Sequence, residues 1–186
     1  MKNFNKKAKD KENRMKLTVK RLLAYGLDFV LLASVLVSLQ WTLYLVTGGF
    51  PFVRFDAGHE IELWVLLTFS LPVWGYFIWC EGKKQQTAGK FFLRLKVVNA
   101  GGAKIRWRQA FLRTLIRLLP WELTHLIILV PEPWWTVEVP ENECWIWVPN
   151  VLMAASIAVL FVSKGKKGIH DFAAKTTVVS AGGDRG

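Results

Sequence analysis

The chain has 186 residues and is 52% hydrophobic, yet Lys and Arg outnumber Asp and Glu by 25 to 14, a formal net charge of +11. Ten Trp and twelve Phe argue against a disordered chain. No period is visible, which counts against a collagen-like or repeat architecture, and two cysteines are too few for a disulfide framework or a four-cysteine metal site. A basic soluble protein of this kind would owe its charge to a nucleic-acid surface, but a positive mean hydropathy points instead to a small membrane protein.

Residues 1–21 hold nine Lys or Arg against only Asp10 and Glu12, with little apolar periodicity before Met15, and residues 1–18 read as a solvated basic tail. From about 22 to 46 the chain is apolar apart from Asp28 and a few mild polar residues. The apolar core of a signal peptide is about half that length. About 20 apolar residues cross the ~30 Å hydrocarbon layer as a helix, so this is a first transmembrane span. Gly48, Gly49 and Pro51 end it, and a short polar loop leads to a second span at about 61–80, where Pro72 and Gly75 are tolerated if neighbours satisfy the freed backbone. In the mixed basic stretch 81–108, residues 91–98 are strand-like and run into the turn Asn99-Ala100-Gly101-Gly102. A short hairpin with 103–107 is expected there, with 175–180 available as a third strand. The third span, about 109–130, carries Pro120, Glu122 and His125, and its Arg113 and Arg117 lie one turn apart, placed to snorkel toward headgroups. An acidic, Trp-rich loop precedes a charge-free fourth span at about 144–162, whose Ala154 and Ala158 allow close helix approach. Residues 19–180 thus form one membrane domain, and 181–186 a flexible end.

Lys and Arg in short loops favour the cytoplasm. The basic tail, the 81–117 stretch and the C-terminal segment together hold 24 of the 25 basic residues, leaving Arg54 alone opposite. The expectation is therefore an α-helical integral membrane protein with four spans, both termini inside, and a small cytoplasmic β-hairpin. Its basic face would meet anionic lipid headgroups rather than nucleic acid.

Composition does not explain Asp28. A charge at the centre of a membrane helix costs about 2.5–3.5 kcal/mol on insertion scales, so it needs a partner or a water-filled path. Arg21 lies two turns earlier on the same face, too far for direct contact, while Arg113 and Arg117 approach from the third span. Two fates are open for Asp28. Locked against Arg117 it fastens two helices; free to titrate, it holds a proton or a cation in turn. Glu122 and His125, three apart on one helix face, suit a proton relay or an inward polar face, since two ligands make a poor zinc site. No nucleophile accompanies His170 and Asp171, and residues 82–90 lack the spacing and hydroxyl of a phosphate loop, so neither an enzyme nor a cofactor is expected.

Three motifs carry a resemblance. They are Arg21-Leu22-Leu23-Ala24-Tyr25-Gly26-Leu27-Asp28-Phe29, then Gln86-Thr87-Ala88-Gly89-Lys90 followed by Leu95-Lys96-Val97-Val98, and Gly168-Ile169-His170-Asp171 followed by Thr176-Thr177-Val178-Val179. In this order the chain resembles the RDD family of prokaryotic membrane proteins, named for one arginine and two aspartates, which map to Arg21, Asp28 and Asp171. Lys175 stands where that family often has glycine. The resemblance implies a polytopic inner-membrane protein for which transport, including exchange of monovalent cations for protons, has been suggested. The ion- or proton-handling candidates are then Asp28, Arg21, Asp171, Arg117, Glu122 and His125, in a protein expected to act as a homo-oligomer. The alternative is a non-catalytic scaffold or accessory subunit that binds lipid or a protein partner.

Overall fold

The structure is a computed structural model that describes residues 2–181, with side chains from Lys16 onward; of the expected flexible end 181–186, all but Ala181 lies outside the described residues. Helix α1, Lys2–Thr47, runs through both the basic segment and the first apolar segment. The basic stretch, expected as a tail, continues the helical backbone because Lys, Arg, Glu and Ala favour helix and no Gly or Pro intervenes before Gly26. Gly48, with φ +69°, ends it.

Helix α2, Gly58–Val65, passes through a π-helical turn, Leu66–Ser70, into α3, Leu71–Trp79, and a second π-helical turn, Cys80–Lys84. Pro72 has no N–H to donate at the start of α3, and just before it the Leu71 amide reaches back five residues to the Leu66 carbonyl, which widens the helix there. The short α4, Ala88–Phe92, precedes strand β1, Leu95–Asn99. Helix α5, Trp107–Leu129, contains Pro120. Helix α6, Trp147–Val162, leads to α7, Ile169–Ala173, and strand β2, Thr176–Ser180. Four helical stretches among the described residues are long and apolar enough to cross a membrane: Lys16–Thr47, Gly58–Lys84, Trp107–Thr136 and Glu143–Val162. Many of their apolar side chains face outward, as when the bilayer is the solvent; Leu45 is 62% and Val46 81% exposed.

The chain divides into two compact units. The first draws on Met1–Phe29, Tyr76–Arg117 and Ala155–Gly186. Its sheet corrects the expected hairpin: β1 pairs antiparallel with β2 from the far end of the chain, and residues 103–107 form no strand. Asn99 explains why. Its side chain accepts from the amides of Gly101 and Ala103, closing a tight turn, and the Gln109 side chain then accepts from the Arg106 amide as α5 begins. The apolar core is small, made of Ala24, Leu95, Val97, Ile105, Ala110 and Val178.

This unit contains an internal repeat that the sequence conceals. The segment 85–100 recurs 81 positions later as 166–181, each copy holding a five-residue helix, a left-handed residue and a five-residue strand. The left-handed residues are Arg94, φ +55°, and Lys175, φ +52°. Val97 pairs with Val178, its own counterpart, so a local two-fold axis passes between them. The hydrogen bonds outside the strand ladder come in matching pairs. Val97 N donates to Gln85 O at 2.9 Å as Val178 N donates to Lys166 O at 3.3 Å, and Ala100 N to Lys175 O at 3.1 Å as Ala181 N to Arg94 O at 2.7 Å. Only Phe91, Val97, Val98 and Ala100 have identical counterparts.

The second unit draws on Val30–Gly75 and Leu118–Ala154. Phe50, Phe55 and Trp64 cluster there, with Trp64 Nε1 donating to Gln40. Asn142 Nδ2 donates to the carbonyls of Ile127 and Val130, both at 2.7 Å, which satisfies the end of α5.

Candidate functional site

Asp28 lies on α1 and is 1% exposed. Its carboxylate accepts from Tyr76 Oη at 2.7 Å, Thr87 Oγ1 at 2.6 Å and the Gly89 amide at 2.8 Å. The expected pairing with Arg117 is not made, and among the described residues no cation pairs with Asp28. What Asp28 holds instead is the start of α4, whose leading amides are unpaired in any helix. The Ala88 amide donates to Tyr76 Oη, that of Gly89 to Asp28 and that of Lys90 to Thr87 Oγ1, so side chains supply each acceptor. Gly89 is needed for this approach, because a Cβ there would collide with the Ala24 carbonyl and sit 3.1 Å from Asp28 Cγ.

The cations gather on two other carboxylates. Glu81, fully buried, accepts from Lys90 Nζ at 2.8 Å, Arg113 Nε at 2.9 Å and Arg117 Nη1 at 2.9 Å. Asp171, also fully buried, accepts from Arg21 Nη2 at 2.5 Å, from Arg113 Nη1 and from its own N-cap amide, Gly168, at 2.8 Å. Arg113 thus bridges the two acids, and Thr176 takes a further bond from it. The expected snorkelling of Arg113 and Arg117 is overturned: Arg113 is 0% exposed, held inward by Glu81 and Asp171, and Arg117 stacks on Phe77 with its Cζ 4.0 Å from the ring centre. Burial pushes the Lys90 ammonium below its usual range despite Glu81. Burial also holds the His170 imidazole well below its ordinary value, with Arg113, Arg117 and Arg21 acting in the same sense. For Asp171 burial works upward, but Arg113, His170 and Arg21 outweigh it and hold the carboxyl well below the carboxylate range.

In the second unit, Glu122 and His125 are joined by residues the sequence reading had not combined with them. His125 Nδ1 lies 2.8 Å from Glu62 Oε2, and Nε2 lies 3.0 Å from Glu122 Oε2. Ser70 Oγ and Trp74 Nε1 donate to the two oxygens of Glu122 at 2.9 and 2.7 Å. The π-helical turn makes this possible. Eight residues separate Glu62 from Ser70, which on a regular α-helix would leave them about 80° apart, whereas one extra residue in the turn brings them close to one face. No group of three or more acidic, His or Cys side chains suited to a metal ion occurs among the described residues.

Arg21, Asp28 and Asp171 therefore occupy buried, fully engaged positions in the first unit, in the order their motifs set. Among families of known proteins, the RDD family matches the chain over residues 17–175. The chain belongs to the RDD family. No curated protein and no solved structure matches it. The three residues that name the RDD family meet in one unit but not in one cluster: Arg21 and Asp171 form an ion pair, while Asp28 binds the α4 start. Within the RDD motifs, Thr87 and Gly89 serve Asp28, and Lys90 serves Glu81. Glu81 was not foreseen, since a lone acid at the end of a span and next to Lys83 and Lys84 reads as an interfacial residue. Tyr76 and Glu62 were missed as well, one an ordinary span aromatic and the other an ordinary loop acid.

Proposed function

We propose that this multi-pass RDD-family membrane protein is transport-related and exchanges a monovalent cation for a proton, with the exchange centred on Glu62, His125 and Glu122. The observation that carries this reading is the double engagement of the His125 ring. An ionised carboxylate only accepts, so hydrogen bonds from both ring nitrogens require either two ring protons or one shared with a carboxyl group. In either form the array holds one more proton than its fully deprotonated state, and carries a net charge of −1. Losing that proton leaves −2, and a monovalent cation held by the Glu62 and Glu122 oxygens, with Ser70 Oγ adjacent, restores −1. Proton and cation are thereby interchangeable ligands of one site whose net charge is the same with either bound, and each spares the membrane-spanning helices the further charge that losing both would leave.

On this reading Asp28 is a fastener that holds the start of α4, because its oxygens already accept three hydrogen bonds. The protein works as a homo-oligomer in the prokaryotic plasma membrane with both termini cytoplasmic, a placement supported by the segregation of 24 of the 25 basic residues. Proteoliposomes loaded with a pH-sensitive dye test it. A Na⁺ or K⁺ gradient drives proton movement, Glu122→Gln lowers it at least about tenfold, and Asp28→Asn leaves the rate per folded protein within about twofold. Undiminished flux in Glu122→Gln would overturn the proposal.

A second reading, a non-catalytic scaffold or accessory subunit, is favoured by the use of Arg21, Asp28 and Asp171 as helix fasteners. It expects wild-type flux no greater than that of empty vesicles.

A further inference from the structure

The buried charges of the first unit do not balance. Arg21, Lys90, Arg113 and Arg117 meet Glu81 and Asp171, and the oxygens of Asp28 are taken by hydroxyl and amide donors. The surplus can be located atom by atom. Arg113 Nη2 and Arg117 Nε and Nη2 are buried donors with no acceptor in the protein among the described residues. The Arg113 side chain is 0% and that of Arg117 7% exposed, so bulk water does not serve them. The Phe77 face offsets part of the Arg117 charge but accepts none of its in-plane N–H groups. A guanidinium does not shed its proton to relieve the cost, as a buried Lys or His does. Orphaned donors and a surplus of buried positive charge both disfavour the folded state.

One small oxyanion meets both needs, since it carries compensating charge and several acceptor oxygens matched to guanidinium forks. Arg113 and Arg117 stand one turn apart on α5 and both already contact the Glu81 carboxylate at 2.9 Å, so their guanidinium groups lie within the span of one small anion. We propose that Arg113 and Arg117 form an oxyanion site for a phosphate group, either inorganic phosphate or the headgroup phosphate of an acidic phospholipid, entering from the side of the less buried Arg117. This site lies in the first unit and is independent of the cation array of the second.

The test uses the full-length protein in a neutral detergent and follows thermal unfolding against inorganic phosphate, and separately against mixed micelles of phosphatidylglycerol or phosphatidylcholine, at constant ionic strength set with NaCl. A saturable rise in melting temperature is expected with phosphate, with phosphatidylglycerol, or with both, and not with phosphatidylcholine. Response to phosphate alone identifies a soluble anion, and response to phosphatidylglycerol alone a lipid headgroup. Arg117→Gln and Arg117→Lys raise the half-saturating concentration about tenfold or more, and the exposed Lys166→Gln leaves it unchanged. Arg117 is the residue to vary because Arg113 also ties Glu81 to Asp171, and because Glu81 retains Lys90 and Arg113 when Arg117 is lost. No rise beyond that in NaCl alone, or the same rise and half-saturation in both Arg117 variants, overturns the site.

Discussion

At the scale of single residues, Asp28 shows how a costly charge in a membrane helix is reconciled with folding by hydrogen bonds rather than by a counter-ion. Asp28→Asn keeps Oδ1 for Tyr76 and Gly89, and the Thr87 hydroxyl can turn to accept from the new amide. Its expected cost is about 1 kcal/mol, whereas Asp28→Leu orphans three donors and costs about 3 kcal/mol or more, read from chemical or thermal unfolding in detergent. His170 makes the molecule acid-sensitive. Its folded value lies well below the ~6.5 of a free imidazole, so as pH falls below about 6.5 the unfolded chain binds the proton first and stability declines. The lowered carboxyl of Asp171 adds a second loss that begins near the ~3.9 of a free aspartate and deepens as pH drops further. Unfolding of the wild type is therefore expected to ease between pH 6.5 and 5 by up to about 1.4 kcal/mol per pH unit, and His170→Gln to flatten that range. Equal slopes would remove His170 from the account. Lys175 occupies the left-handed region at a position where the family often has glycine, which gives that preference a backbone reason.

At the scale of elements, α4 is a five-residue helix that has almost no stability of its own and exists because α1 receives it. Gly89→Ala places a methyl group against the Ala24 carbonyl, and undocking α4 should cost about 2 kcal/mol or more while Gly101→Ala, in an exposed turn, costs little. The paired copies make a sharper prediction. Val97 and Val178 are 0% and 1% exposed and face each other across the local two-fold axis. Val97→Ala and Val178→Ala should each lower stability by roughly 1–3 kcal/mol, and the double variant should depart from their sum by 0.5 kcal/mol or more, because the two share one contact. Only the second half of the strand-like run 91–98 is strand, since residues up to Phe92 belong to α4 and the left-handed Arg94 precedes β1 at Leu95, and its partner was not legible either. A hairpin within 91–107 and a pairing with 175–180 both satisfied the local pattern, and the Asn99 side chain settled between them by closing a turn that leads directly into α5.

At the scale of the whole molecule, four helical stretches long and apolar enough to span a bilayer sit within a few residues of where hydropathy places them. The crossing of the third is checked by a single cysteine at Thr136 in a background lacking Cys80 and Cys144. A membrane-impermeant maleimide added to intact cells is expected to label it, and protection until the membrane is opened would overturn the four-span topology. The candidate chemistry divides between the two compact units, each with its own polar cluster, so flux and anion response should separate by mutation: Glu122→Gln weakens the first and spares the second, and Arg117→Gln does the reverse.

Hydropathy, charge segregation and motif order needed only the sequence, because a bilayer selects for length and polarity, which are properties of consecutive residues. That much determined the membrane class, four stretches long and apolar enough to span a bilayer, and the RDD membership. Who pairs with whom was a tertiary matter. Asp28 found a helix start instead of Arg117, Glu81 gathered three cations that a linear reading sends to the headgroups, and a π-helical turn moved Ser70 toward the face of Glu62 against the regular helical period. The repeat related by 81 residues stayed hidden for the same reason: backbone hydrogen bonds and left-handed turns preserve it, and those demand little of side-chain identity.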